Sequence, residues 1–171
     1  PRTTDEQFVR RIYLDIAGRI PTYNETIDFL ESGDKGKRAK LIDELLDSEA
    51  HVMHMFNWYS DLLRIRENLR MGGGGQLNAI AYVDWVKDSI RQNKPFDKVV
   101  REMLTATGTL WDSPATGYLV TDDGMPLCNL SNTFTVFMGT EITCAQCHDH
   151  PFEEVYQMDF FKMASFFGEV N

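Results

Sequence analysis

Cysteine is scarce, basic residues are outnumbered and long apolar runs are missing, and each shortage removes a class of protein. Three cysteines in 171 residues cannot build the disulfide framework of a small secreted scaffold. Lys and Arg total 17 against 26 Asp and Glu, a formal net charge of −9. A surface of that sign repels polyanions, so neither a nucleic acid nor an anionic membrane is expected as partner. No stretch of about 18 apolar residues occurs, so no transmembrane helix is expected. Period-two alternation is also missing, with only Tyr118-Leu119-Val120 suggesting a strand. Low complexity is confined to the glycines at 72–75. These lack the flanking strand and downstream Lys of a phosphate loop and read as a hinge or turn. No signal segment is present. The chain opens at Pro1, without Met, and runs straight into a folded pattern. We therefore expect a domain excised from a larger exported protein, and the missing signal does not argue for the cytoplasm.

What is present is helical periodicity. Thr4 and Gln7 have the spacing of an N-terminal cap, Phe8, Ile12 and Ile16 recur every four residues, and Gly18 with Pro21 closes the run. Thr22 and Glu25 repeat the cap spacing ahead of Ile27 and Leu30. Further helices are expected over 35–47, over 48–65 with Ser48 as cap, over 77–91, over Phe96–Thr105, over 127–138 and over 159–168. The segment at about 108–126 has no clear period and is expected to be a long loop, of a length usually functional or mobile. The expected fold is one all-α, irregular multi-helix domain spanning 1–171, with its chemical motif near the C-terminus.

That motif is Cys144-Ala145-Gln146-Cys147-His148-Asp149-His150. Cys-x-x-Cys-His is the attachment signature of a c-type haem. Two thiols on one tight turn can each form a thioether to a haem vinyl group, and the next residue's imidazole can then reach the iron as proximal ligand. Chance occurrence in a chain of this length is on the order of one in a thousand. Other readings stay open. Cys144, Cys147, His148 and His150 could hold zinc or non-haem iron, although structural zinc sites usually draw ligands from two separated segments. The cysteines could be a redox pair, without the βαβ context such pairs have, or could simply pack. His150 could bond a haem propionate, act as an auxiliary metal ligand, donate a proton or cap a turn.

A sixth iron ligand would come from elsewhere. The best neighbourhood is His51-Val52-Met53-His54-Met55, with His54 or Met55 as candidate and Phe56 and Trp58 as apolar walls. Met125 and Met138 are weaker candidates, and an open sixth position is a further alternative. Cys128 reads as a buried small hydrophobe and Asp122-Asp123-Gly124 as a turn rather than a calcium loop. Arg64, Arg66 and Arg70 could pair with propionates, against the default of a solvated helix face.

Two stretches together carry a family resemblance: Phe8-Val9-Arg10-Arg11-Ile12-Tyr13-Leu14-Asp15-Ile16-Ala17-Gly18-Arg19-Ile20-Pro21-Thr22, and Cys144 through Phe152. Lys40 through Ser48 and Asp61-Leu62-Leu63-Arg64 fit as well. The pattern resembles the bacterial domain of unknown function associated with planctomycete-type cytochrome c proteins, over almost the whole chain. The resemblance implies redox work in the periplasm as part of a large exported protein, and it carries over Cys144, Cys147, His148 and also His150. In ordinary small cytochromes c the haem motif lies near the N-terminus. Here it lies near the other end, so a different fold around the haem is expected.

Electron transfer through one haem c, to a redox partner protein or a neighbouring domain of the same polypeptide, is the leading functional expectation. The domain is then an electron carrier rather than a self-contained enzyme, and no catalytic residue is assigned. The alternatives are a haem enzyme or a gas- or peroxide-binding domain with an open distal site, and a non-haem Cys/His metal module serving structure or recognition.

Overall fold

The structure is a computed structural model, and it describes residues 3–70 and 75–168. Local chemistry sets the first elements. Helix α1 (Asp5–Ala17) starts where the Thr4 hydroxyl accepts from the Gln7 N–H, and it ends at Gly18, whose φ of 67° is left-handed. In α2 (Tyr23–Glu31) the cap at Thr22 and Glu25 is reciprocal, each side chain accepting from the other residue's backbone N–H. Helix α3 is Lys37–Leu46. Helix α4 (Glu49–Leu62) opens with the Ser48 hydroxyl accepting from the His51 N–H.

The chain divides into two compact units, Pro1–Trp58 with Lys87–Asn93, and Tyr59–Val86 with Lys94–Asn171. The core of the first unit is Val9, Tyr13 and Ala17 of α1, Phe29 of α2, and Leu41 and Leu45 of α3. The four-residue spacing within α1 and α3 puts each set on one helix face. Asp5 ties α1 to α3 by pairing with Lys37 at 2.7 Å and Arg38 at 2.6 Å. The same two cations lie over the rings of Phe29 and Phe8, so their stems cover apolar surface while their charges are paired with Asp5.

In the second unit, β1 (Asn68–Arg70) pairs antiparallel with β2 (Gln76–Asn78), placing Leu69 opposite Leu77. These strands were not expected from the sequence, because three residues are too few to show alternation. Residues 72–74, where a hinge or turn was expected, lie outside the described residues. Helix α5 (Ile80–Arg91) starts later than the expected 77, because the Asn78 side chain accepts from the Ile80 N–H and caps it there. Helix α6 (Phe96–Thr105) has the expected bounds.

The segment expected to be a long loop is instead part of the core. It holds a 3-10 turn (Pro114–Thr116) and a short helix α7 (Gly117–Val120), so 118–120 is helical and not a strand. Leu110, Ala115, Thr116, Tyr118, Val120 and Thr121 are all buried. The reason is close packing: a Cβ on Gly117 would stand 2.3 Å from Cγ of Tyr82, so only glycine admits that ring. Helix α8 (Pro126–Thr133) runs into one π turn (Phe134–Met138), which ends at left-handed Gly139. Helix α9 (Gln157–Ala164) is followed by a 3-10 turn (Ser165–Phe167). Leu130, Ile142, Ala145, Phe160 and Ala164 form a core that joins α8, the motif turn and α9. Among the described residues, no helix is long and apolar enough to cross a membrane.

Candidate functional site

The motif begins on a 3-10 turn, Thr143–Gln146, with Cys147 as its closing residue. Glu141 opens the turn: its carboxylate accepts from the Thr143 N–H at 2.9 Å and also from the Thr143 hydroxyl. The Thr143 hydroxyl first and its N–H second hold the Glu141 carboxyl below the ordinary carboxylate range. Ile142 and Ala145 are fully buried. With those two residues pointing into the core, Cys144 and Cys147 are free thiols and exposed. Residues three apart on a 3-10 turn eclipse one another, so the two thiols share a side of the turn. The Cys147 N–H donates to the Cys144 carbonyl at 3.2 Å and closes it.

The two histidines of the motif present opposite nitrogens. His148 is exposed, and its Nδ1 lies 2.7 Å from the carbonyl oxygen of Asp149. A carbonyl only accepts, so Nδ1 carries the proton and Nε2 holds the free lone pair. A ligand histidine is usually fixed this way, its other nitrogen donating to a carbonyl or carboxylate. In His150 the roles are reversed: Nδ1 accepts from the N–H of Phe152 at 3.3 Å and of Glu153 at 2.9 Å. The neutral ring therefore carries its proton on Nε2, and neither nitrogen offers a free lone pair while those bonds stand. Among the described residues, no group of three or more His, Cys, Asp or Glu side chains is arranged to hold a metal ion. Cys144, Cys147, His148 and His150 thus do not converge as a four-donor set.

A chain of amides braces the turn. One carboxylate oxygen of Asp149 accepts from the Gln157 N–H at 2.9 Å, at the start of α9. The Gln157 side chain donates back to the Gln146 carbonyl at 3.2 Å, and the Gln146 side chain donates to the Ser131 hydroxyl at 3.3 Å. Sequence reasoning missed this brace. Its partners lie 8, 11 and 15 positions apart, and no local spacing signals such pairs.

The remaining candidates have other surroundings. His54 and Met55 lie in the first unit, whereas the motif lies in the second. His54 is half-buried with its ring over Gly18, where a Cβ would meet Nδ1 at 2.4 Å. His51 Nδ1 donates to the Ile16 carbonyl at 3.1 Å. Phe56 is half-buried beneath the Lys87 ammonium, and Trp58 is exposed. Met125 and Met138 are exposed, and Cys128 is half-buried rather than fully buried. Arg64 is neither on a solvated helix face nor free for a propionate. It follows α4 with a left-handed φ of 55°, and its guanidinium binds Asp122 through Nε at 3.2 Å and a terminal nitrogen at 2.9 Å. Arg66 stands 4.0 Å from Asp123, and exposed Arg70 lies in β1 opposite Gln76. Asp122-Asp123-Gly124 does make a turn, with Asp123 and Gly124 both at positive φ.

The family model described as "Protein of unknown function (DUF1549)", PSCyt2, matches residues 1–171. No curated protein and no solved structure gives a match.

Proposed function

The chain belongs to this family of unknown function, and from that premise we propose that it is a c-type cytochrome domain. One haem is attached through Cys144 and Cys147, with His148 as axial ligand, and it passes electrons to a partner protein or a neighbouring domain in an exported, periplasmic setting. The observation that carries this reading is the pairing of two free, exposed thiols on one turn with an adjacent imidazole whose Nε2 is unengaged.

The residues present fit the group. Each thiol adds across one vinyl, the sulfur bonding one carbon while the thiol proton goes to the other, so no oxidant is consumed. Buried Ile142 and Ala145 fix the turn beforehand, so little ordering cost attends attachment. The bond from His148 Nδ1–H to the Asp149 carbonyl orients the ring and fixes the tautomer that leaves the Nε2 lone pair free. A haem held this way supplies a one-electron iron couple tuned by its axial ligands and its exposure.

Alkylation of protein matured through an export pathway tests this. With Cys144 and Cys147 both in thioethers, only Cys128 should react after denaturation, and the chain mass should rise by one haem. Cys144→Ala and Cys147→Ala should each keep one link. If all three thiols alkylate in the exported wild type, the proposal is wrong.

A further inference from the structure

His150 is the residue of the motif that haem attachment leaves unexplained. Its side chain does defined work on the chain that follows. Pro151 has no N–H, so the first amides available after His150 are those of Phe152 and Glu153, and Nδ1 accepts from both. The His150 N–H donates to the Val155 carbonyl at 2.9 Å, and the Val155 N–H donates to the Glu153 carbonyl at 2.8 Å. The imidazole also stands edge-on to the Phe152 ring, centroids 6.3 Å apart. The turn at 150–155 is therefore shaped by one ring nitrogen, and its far end is bonded back to the motif through Asp149, Gln157 and Gln146.

This well-bonded segment displays apolar side chains to solvent. Phe152 is 90% exposed, Met158 64% and Tyr156 59%. Large apolar side chains held out on an ordered segment mark a surface that something covers. The same bonded segment carries the two free thiols and the free Nε2 of His148, which supply two points of covalent attachment and one metal-binding nitrogen for an apolar occupant.

We propose that His150 is a positioning residue and not a metal ligand: its Nδ1 holds the Phe152 and Glu153 amides and its N–H holds the Val155 carbonyl, so that the turn presents Phe152 and Tyr156 as an apolar shelf on which the porphyrin linked to Cys144 and Cys147 rests. The inference builds on the haem reading and adds to it which residues contact the ring.

The test exploits the geometry of side-chain amides. The Asn oxygen can stand where His Nδ1 stands, whereas the Gln amide reaches the position of Nε2. In haem-free protein, His150→Asn should preserve slow exchange of the Phe152 and Glu153 amides, whereas His150→Gln should speed it about tenfold through loss of two hydrogen bonds. In haem-loaded wild type, the ring proton resonances of Phe152 and Tyr156 should shift relative to the haem-free form. They should shift in His150→Asn as well, and stay near their haem-free positions in His150→Gln. Protection preserved by Gln and lost with Asn overturns the positioning role. Loaded protein whose Phe152 and Tyr156 resonances do not move overturns the shelf while leaving haem attachment intact. Exported wild type without covalent haem overturns both, whatever the exchange data show.

Discussion

Asp122 shows how much a single side chain outside the motif contributes. Its carboxylate, 9% exposed, accepts from two Arg64 nitrogens, from Asn129 at 3.1 Å and from Asn132 at 2.8 Å. The Asn129 amide also donates to the Tyr118 carbonyl, and the Tyr118 hydroxyl bonds Thr133 at 2.9 Å. Asp122→Ala leaves a half-buried guanidinium and two amides without their acceptor, so we predict a loss of about 2–4 kcal/mol, read from the urea midpoint. Gly117→Ala should cost ~2 kcal/mol or more by overpacking, because the new methyl meets the Tyr82 ring at its rigid inner end. A Tyr82→Ala background should remove most of that penalty, and a full penalty there would show that the clash is not the cause. Neither residue announced itself in the sequence. Asp122 looked like one member of an acidic turn, and its cation lies 58 positions away. His150 is similar: its type was legible beside the cysteines, but which nitrogen it offers depends on backbone amides that only the folded turn supplies.

At the scale of elements, legibility follows locality. The caps at Thr4 and Thr22 and the stop at Gly18 are contests within a few residues, and the structure has each of them. The α7 region was misjudged because Thr116, Tyr118 and Thr121 are polar or amphipathic residues that are nevertheless buried, Tyr118 with its hydroxyl on Thr133, 15 positions away. Periodicity has no access to such partners. Helix α8 shows the same effect, burying Asn129, Ser131 and Thr133 beside Leu130: the Asn129 amide nitrogen donates to Asp122, while Thr133 and Ser131 bond Tyr118 and Gln146, and among the described residues Asn129 Oδ1 stays buried without a partner. Helix α2 yields a prediction in pH. Its Glu25 carboxyl is lowered from 4.5 to about 2, first by the Arg19 guanidinium, bonded at 2.6 and 2.9 Å, with Thr22 adding to it. A depressed carboxyl stabilises the fold above its unfolded value and loses that contribution as pH falls through the folded one. Glu25→Gln should therefore cost about 1 kcal/mol at neutral pH, discounted because the pair is partly exposed. The gap between variant and wild type should close between pH 4.5 and about 2, as followed by thermal melts. A gap that stayed constant across that range would show that the charge of Glu25 is not the source.

At the scale of the whole chain, stability and chemistry reside in different sets of residues. Among the described residues, apolar burial includes one core around Tyr13 and Phe29 and another around Leu130 and Phe160. The second of these also fixes the motif turn through Ile142 and Ala145. Cys144, Cys147 and His148 add nothing to either core. All three face solvent, so their presence calls for a chemical explanation rather than a packing one. The motif was legible because its seven residues are consecutive, whereas its support from α8 and α9 was not.

Every role proposed for the motif depends on covalent haem joining Cys144 and Cys147. The most direct measurement is the absorbance of exported protein, denatured and reduced in alkaline pyridine after extraction with acidified organic solvent. One haem per chain should survive extraction and show the haemochrome bands of a doubly thioether-linked porphyrin. A colourless denatured chain, with the pigment in the organic phase or never present, would contradict it.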